Sequence, residues 1–324
     1  MTGLPYLDAA ALRELLPWAA AIEALAGALR AAGAQSAAGT QSAAGRAPAA
    51  DPPRMSVPLA AGELLLMPAG SVDAAGVKVV SVAPGNPAAG RPRIQGLYIL
   101  FDAETLTPSL LLDGTALTAV RTPAVSALAA QLLAPADAST LVVFGTGPQA
   151  RGHVEALRSI RPVDAVVVVG RDASRTRHVV ADLVALGHPA TAGTPEAVAD
   201  ADLVVCATTS RTPVFDGRML AADACVMAVG SHEPGARELD EVVFARADRV
   251  VVEDRATALR EAGDVIAAIA AGSCAVDDLV PLAQLATMPA PQGISVFKSV
   301  GMGWQDLAVA TAAADRRRPG GGAS

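Results

Sequence analysis

Residues 141–150, LVVFGTGPQA, constrain this chain more than any other stretch. A continuous apolar run passes directly into Gly145-Thr146-Gly147-Pro148-Gln149-Ala150, and helix-forming residues follow. This is a G-x-G-x-x-A turn set between a strand and a helix, and each small residue has a steric reason. Gly145 permits the tight turn, Gly147 lets the backbone approach a pyrophosphate, and Ala150 allows the helix to pack close to the strand. The helix N-terminus adds unpaired N–H groups and a partial positive charge. A second β-branched run at Ala165–Val169 completes the context in which this motif carries weight. The stretch therefore predicts a dinucleotide site with contacts from Gly145, Thr146, Gly147, Pro148, Gln149 and Ala150.

The pattern continues beyond the motif. Thr140–Phe144, Ala165–Val169, Leu203–Cys206, Cys225–Val229 and Arg249–Val252 read as short strands. Helical stretches at Gln149–Arg158, Arg175–Leu186 and Pro195–Ala199 separate the first three. Continuous apolar strands alternating with helices predict an α/β fold with a doubly wound parallel sheet covered on both faces. Upstream the regime differs. Asp8 caps a first short helix, and Pro17 opens a second that ends near Gly33. Runs at Glu63–Met67, Gly76–Val82, Leu97–Asp102 and Ser109–Leu112 alternate with Gly, Pro and Asn turns, which predicts a mostly antiparallel sheet. Thr118–Leu133 reads as a long helix. The near-tandem QSAAGT and QSAAGR at 35–46 read as a loose loop, and the tail DRRRPGGGAS at 315–324 as disordered.

Composition removes several classes of function. Of 324 residues, 25 are Lys or Arg and 32 Asp or Glu, giving a net charge of −7. This balance offers no footprint for nucleic acid or an anionic membrane, and 3% aromatics provide few stacking platforms. The 52% hydrophobic content suffices for a sizeable core. The N-terminus lacks a basic segment followed by an apolar run, and the stretch Val265–Ala271 is too short to span a bilayer. Cys206, Cys225 and Cys274 lie far apart without zinc-ligand spacing and read as buried free thiols. A cytoplasmic protein is expected.

The end of the second strand bears on the cofactor. NAD sites place a carboxylate there for the ribose 2′-hydroxyl. Here Gly170 is followed by Arg171, with Asp172, Ser174 and Arg175 behind it. A guanidinium can stack on adenine and pair with a 2′-phosphate, so NADP(H) is favoured and NAD(H) remains possible. Asp172 is one residue late yet within reach of a hydroxyl, and Arg175 has the alternative of facing solvent. Thr208, Thr209 and Ser210 follow another strand and suit either ribose contacts or a helix N-cap.

Taken together, the motifs resemble the ornithine cyclodeaminase/mu-crystallin family. The matching stretches are PRMSVPL (53–59), GVKVVSV (76–82), LTAVRTPAVSALAA (117–130), VVFGTGPQA (142–150), VVGRD (168–172), AVGSHEPGARELD (228–240) and VFKSVGMGWQDLA (296–308). The resemblance implies a homodimer of two-domain subunits. An α+β substrate and dimerisation domain, residues 1–118 completed by 300–324, surrounds an inserted Rossmann domain at 119–299. It also implies a substrate-carboxylate clamp at Arg54 and Arg121. Two guanidiniums can grip one carboxylate with bidentate geometry, although an apolar-helix Arg121 would also suit a structural ion pair. Lys78 is the third matched position. Its valine neighbours suggest a covered strand, where burial lowers a lysine pKa and makes it a candidate acid, base or hydrogen-bond donor.

The fourth position discriminates among family members. Cyclodeaminases carry an aspartate where this chain has His232, in Gly230-Ser231-His232-Glu233-Pro234-Gly235. Imidazole suits proton donation to a ring nitrogen near neutral pH. The chain is thus similar to the imine reductases of the family, which reduce Δ1-pyrroline-2-carboxylate and Δ1-piperideine-2-carboxylate to L-proline and L-pipecolate. In that reading Lys78 and His232 carry the catalysis and the partner is a small imino acid. Alternatives are ornithine cyclodeaminase, alanine or N-alkyl amino acid dehydrogenase, and a non-catalytic NADPH and small-ligand binder. Lys298 and Ser299 are expected near the nicotinamide, and Asp306 to bond within its own segment. His153, His178 and His188 are expected on the surface.

Overall fold

The computed structural model describes residues 3–37 and 52–318. The chain divides into two compact units, Met1–Arg121 with Met302–Ser324 and Thr122–Gly301. It opens with β1 (Tyr6–Leu7), α1 (Ala9–Leu15) and α2 (Trp18–Ala37). Five strands follow: β2 (Met55–Leu59), β3 (Gly62–Gly70), β4 (Ala74–Val82), β5 (Ile94–Asp102) and β6 (Pro108–Asp113). Helix α3 (Gly114–Leu133) leads out of the first unit. The second unit continues with β7 (Thr140–Phe144), α4 (Pro148–Arg158), β8 (Ala165–Val169), α5 (Ala173–Ala185), β9 (Ala190–Ala192), β10 (Leu203–Cys206) and β11 (Cys225–Ala228). It closes with α6 (Glu241–Arg246), β12 (Arg249–Val252), α7 (Arg255–Glu261), α8 (Gly263–Ala270), β13 (Leu279–Pro281) and β14 (Ser295–Lys298). Helix α9 (Gly303–Arg317) belongs to the first unit.

In the first unit the strands form a six-stranded sheet in the order β1-β6-β5-β4-β3-β2. Strands β2 to β6 pair antiparallel, and only β1 runs parallel to its neighbour. Side chains alternate between the two faces of each strand. Leu65, Met67, Val80, Tyr98, Leu100, Leu110 and Leu112 are buried on the face against which α9 packs. The register places Lys78 between Met67 and Tyr98 in this row, so the pleat itself turns the ammonium inward.

The second unit holds an eight-stranded, wholly parallel sheet in the order β13-β12-β14-β11-β10-β7-β8-β9. Leu141–Phe144, Leu203–Cys206 and Cys225–Ala228 are buried along their whole length, as a sheet covered on both faces requires. The predicted α/β class and its parallel sheet are observed.

Several local expectations change. Helix α3 starts at Gly114 rather than Thr118, because the Asp113 carboxylate accepts the N–H groups of Thr115 and Ala116. At twenty residues α3 is also long and apolar enough to cross a membrane, but 72% of its most apolar window is buried inside the protein, and it is a core helix. Helix α2 passes Gly33 and absorbs Gln35–Ala37, since one glycine costs an alanine-rich helix only about 1 kcal/mol. The rest of the duplicated segment lies outside the described residues. Asp315–Arg317 form the last turn of α9 rather than a disordered tail, with 319–324 outside the described residues. Pro195–Asp200 is a 3-10 turn, not an α-helix. Strand β14 escaped the sequence reading because Ser295 and Lys298 bracket only two apolar residues, yet all four side chains are buried.

Candidate functional site

The turn after β7 has the geometry that its glycines predict. Gly145 adopts φ +122°, and its N–H donates to Val169 O at 2.9 Å. A Cβ there would lie 2.5 Å from Ala207 O, so no side chain fits. Gly147 precedes α4 without any side-chain cap, and Pro148 at the first helical position forfeits no needed donor. A Cβ on Gly147 would meet nothing within 4 Å. The open backbone and uncapped helix end fit a pyrophosphate. Ala150 is buried against the sheet, and a Cβ on Gly170 would strike Thr146 and Thr176 at 2.6 and 2.5 Å.

At the end of β8, the Asp172 carboxylate accepts the backbone N–H groups of Ser174 and Arg175 at 2.8 and 3.0 Å. It caps α5, and these bonds hold its carboxyl below the usual range. Arg171, Ser174 and Arg175 are exposed around it.

Beyond β10, Thr208 donates its N–H and hydroxyl to Glu238 Oε1 at 2.6 and 2.7 Å. Ser210 Oγ donates to Thr212 O at 2.6 Å, and Thr209 is exposed. No helix starts at these residues, which removes the N-cap reading. Glu238 also accepts from Gly230 N at 2.7 Å; burial pushes its carboxyl up.

Lys298 is fully enclosed. Its Nζ donates to Ser231 O, Ser231 Oγ and Asp264 Oδ2, each at 2.8 Å, which uses all three ammonium hydrogens. Burial opposes ionisation of Asp264, but Lys298, Ser231 and the Leu239 N–H outweigh it and hold the carboxyl low. Ser299 Oγ donates to Glu253 Oε1 at 2.8 Å. Lys298, Asp264 and Glu238 thus fasten the loop that carries half-buried His232, at Ser231 on one side and Glu238 on the other.

His153 corrects an expectation. It is buried, with Nδ1 2.7 Å from Gln149 O and Nε2 3.0 Å from Ser126 Oγ. Burial pushes its pKa down to about 4. An inward position on α4 decides this, because the two polar neighbours satisfy both nitrogens of a neutral imidazole there. His178 is exposed and His188 half-buried.

The first unit gathers the predicted clamp residues and adds two more. Lys78, 2% exposed, places Nζ 2.7 Å from Asp306 Oδ2 and 3.3 Å from Thr118 Oγ1. Arg121, 7% exposed, donates from Nη1 to Gln305 Oε1 at 2.9 Å, and its Nε lies 3.4 Å from Asp306 Oδ1. Gln305 Oε1 also accepts the Met302 N–H at 3.3 Å, so one amide closes the α9 N-terminus and holds Arg121. Burial lowers the Lys78 pKa to about 8; Asp306 opposes this, while Arg121 and half-buried Arg54 add to it. Lys78 and Arg121 both face the Asp306 carboxylate, an excess of positive charge that favours an incoming anion. Asp306 bonds far beyond its own segment, and Gln305 was missed altogether. The signal was present: adjacent Gln and Asp break the inward face of an otherwise apolar helix.

Residues 14–321 match the model of the ornithine cyclodeaminase/mu-crystallin family. The chain belongs to this family. It is 36% identical over 273 residues to a Delta(1)-pyrroline-2-carboxylate reductase of Bacillus cereus, covering 80% of this chain and 83% of that protein. The solved structure of Thermococcus litoralis Delta(1)-pyrroline-2-carboxylate reductase in complex with NADH and L-proline superposes with a TM-score of 0.86 at 27% identity, covering 96% of this chain and 97% of the other. An archaeal alanine dehydrogenase dimer with bound NAD gives 0.84 at 28% identity, covering 96% and 95%.

Proposed function

We propose that this family member reduces a cyclic ketimine carboxylate, of the Δ1-pyrroline-2-carboxylate or Δ1-piperideine-2-carboxylate type, to the corresponding cyclic amino acid with NAD(P)H. The observation that carries the reading is the buried, cation-rich cluster of Lys78, Arg121 and Asp306, in a chain 36% identical to a Δ1-pyrroline-2-carboxylate reductase. When bound, the reduced nicotinamide supplies the hydride that saturates C2. The chain's own residues do the rest. Arg54 and Arg121 grip the carboxylate and fix the orientation of the C=N bond, and Lys78 donates a further hydrogen bond. His232 delivers the proton that the ring nitrogen takes up, so one hydride and one proton convert C=N to CH–NH. NADPH oxidation with Δ1-pyrroline-2-carboxylate, run beside ammonia release from L-ornithine, tests this. Reduction without deamination is the expected result, and brisk deamination would make the chain a cyclodeaminase instead.

The phosphorylated cofactor is preferred in this reading. Asp172 is occupied in capping α5, which leaves exposed Arg171 and Arg175 to face a 2′-phosphate. Arg171→Ala should weaken NADPH by about 1.5–3 kcal/mol, the range for one charge-assisted contact, and NADH far less. Equal weakening in fluorescence titrations would remove Arg171 from phosphate recognition.

The first unit is the substrate and dimerisation domain, and the second holds the cofactor. The outward sheet face supports a homodimer: Met55, Leu66, Val79 and Leu97 form one apolar row across four strands, with Met55 61% exposed. A second copy would cover this row, the archaeal alanine dehydrogenase relative is a dimer, and a monomeric mass in solution would contradict the reading. Three buried free thiols accord with a reducing cytoplasm.

A further inference from the structure

The first turn of α9 contributes two side chains to the clamp from the far end of the chain, and each touches a cation that the substrate needs. Gln305 Oε1 holds Arg121 Nη1 at 2.9 Å; Asp306 reaches Lys78 Nζ with Oδ2 and faces Arg121 Nε with Oδ1. Both are fully buried. We infer that Gln305 and Asp306 are positioning residues: Gln305 aims the Arg121 fork, and Asp306 sets the net charge that the cluster presents to a carboxylate. The inference rests on the proposed carboxylate substrate and adds what determines its affinity.

The charge count makes this quantitative. With Lys78 and Arg121 protonated and Asp306 ionised, these three groups carry one surplus positive charge. Other side chains facing Lys78 are Met67 and Tyr98 across the sheet and Thr118 on α3, and Asp306 is the carboxylate in contact with it. Lys78 titrates at about 8 in this setting. An anion binds more tightly while Lys78 is charged, so affinity is greatest below pH 8 and falls as pH rises through that value.

Removing Asp306 removes the main support for the ammonium form, so the fall must move to lower pH. An opposite charge at such a distance is worth about 1–3 pKa units. Below the fall, the variant has one more surplus positive charge and loses no affinity. A carboxylate placed at 305 acts in the opposite sense: it cancels one charge, weakens the plateau and moves the fall to higher pH.

Calorimetric titration of the full-length protein with pyrrole-2-carboxylate, a planar unreactive carboxylate, from about pH 5 to about pH 10 tests this without turnover. For Asp306→Asn we expect the decline displaced by about 1–3 pH units to acid with an undiminished plateau. Asp306→Glu should restore the original midpoint. Gln305→Glu, nearly isosteric, should give a weaker plateau and an alkaline displacement, and keeps the test decisive if the Asn variant does not fold. Uniformly weaker binding at an unchanged midpoint in the 306 and 305 variants would make both residues merely structural and overturn the inference. Failure of the unmodified protein to bind the probe at any pH would overturn the substrate reading itself.

Discussion

Replacing His232 with alanine is expected to slow ketimine reduction by about 10²–10⁴-fold, the usual worth of a positioned general acid. The imidazole sits on a loop that is held at both ends. Ser231, immediately before it, is fastened by Lys298 and Asp264, and the Glu238 and Leu239 N–H groups donate to the other Asp264 oxygen. The Ser231, Glu238 and Leu239 anchors on Asp264 do not involve the imidazole, so NADPH affinity should remain close to that of the unmodified protein. The pH profile of the rate should also change, because the group that supplies the proton is gone. Steady-state rates across pH 5–9, with fluorescence titration of NADPH, check both halves. An active variant with an unaltered pH profile would transfer the proton to Lys78 or a bound water.

Arg121→Lys is the second large effect. Lysine keeps the charge but not the planar fork. Arg121 commits Nη1 to Gln305 and turns Nε toward Asp306, and Nη2 has no partner among the described residues. An ammonium cannot hold the helix residues and a substrate carboxylate at once, and it deprives the buried Gln305 oxygen of its charged donor. Loss of one charge-assisted contact plus partial desolvation of its partner amounts to about 2–4 kcal/mol, or roughly 30–1000-fold in kcat/KM. NADPH binding should be spared. An unchanged kcat/KM would reduce Arg121 to a structural ion pair and move the clamp elsewhere.

What the chain shows without its fold is whatever short-range stereochemistry controls. The Gly145–Ala150 turn is legible because a φ of +122° against the Ala207 carbonyl excludes every side chain but hydrogen. The buried strands of the parallel sheet are legible because a strand covered on both faces must be apolar at consecutive positions. Even the buried Lys78 is foreseeable, since its valine neighbours place it within a covered strand. Other features depend on tertiary structure. Asp172 lies one residue beyond the ribose position yet within reach of a hydroxyl, and only the start of α5 shows that its Oδ1 caps that helix instead. His153 has the composition of a surface residue on a helix, and only the approach of Ser126, 27 positions away, completes a buried site for it. Gln305 meets Arg121 across 184 positions, and Asp306 on helix α9 meets Lys78 on strand β4. No periodicity encodes such pairs, because the free energy that brings them together comes from burying the apolar faces of α9 and the six-stranded sheet. The polar groups pair where that packing delivers them.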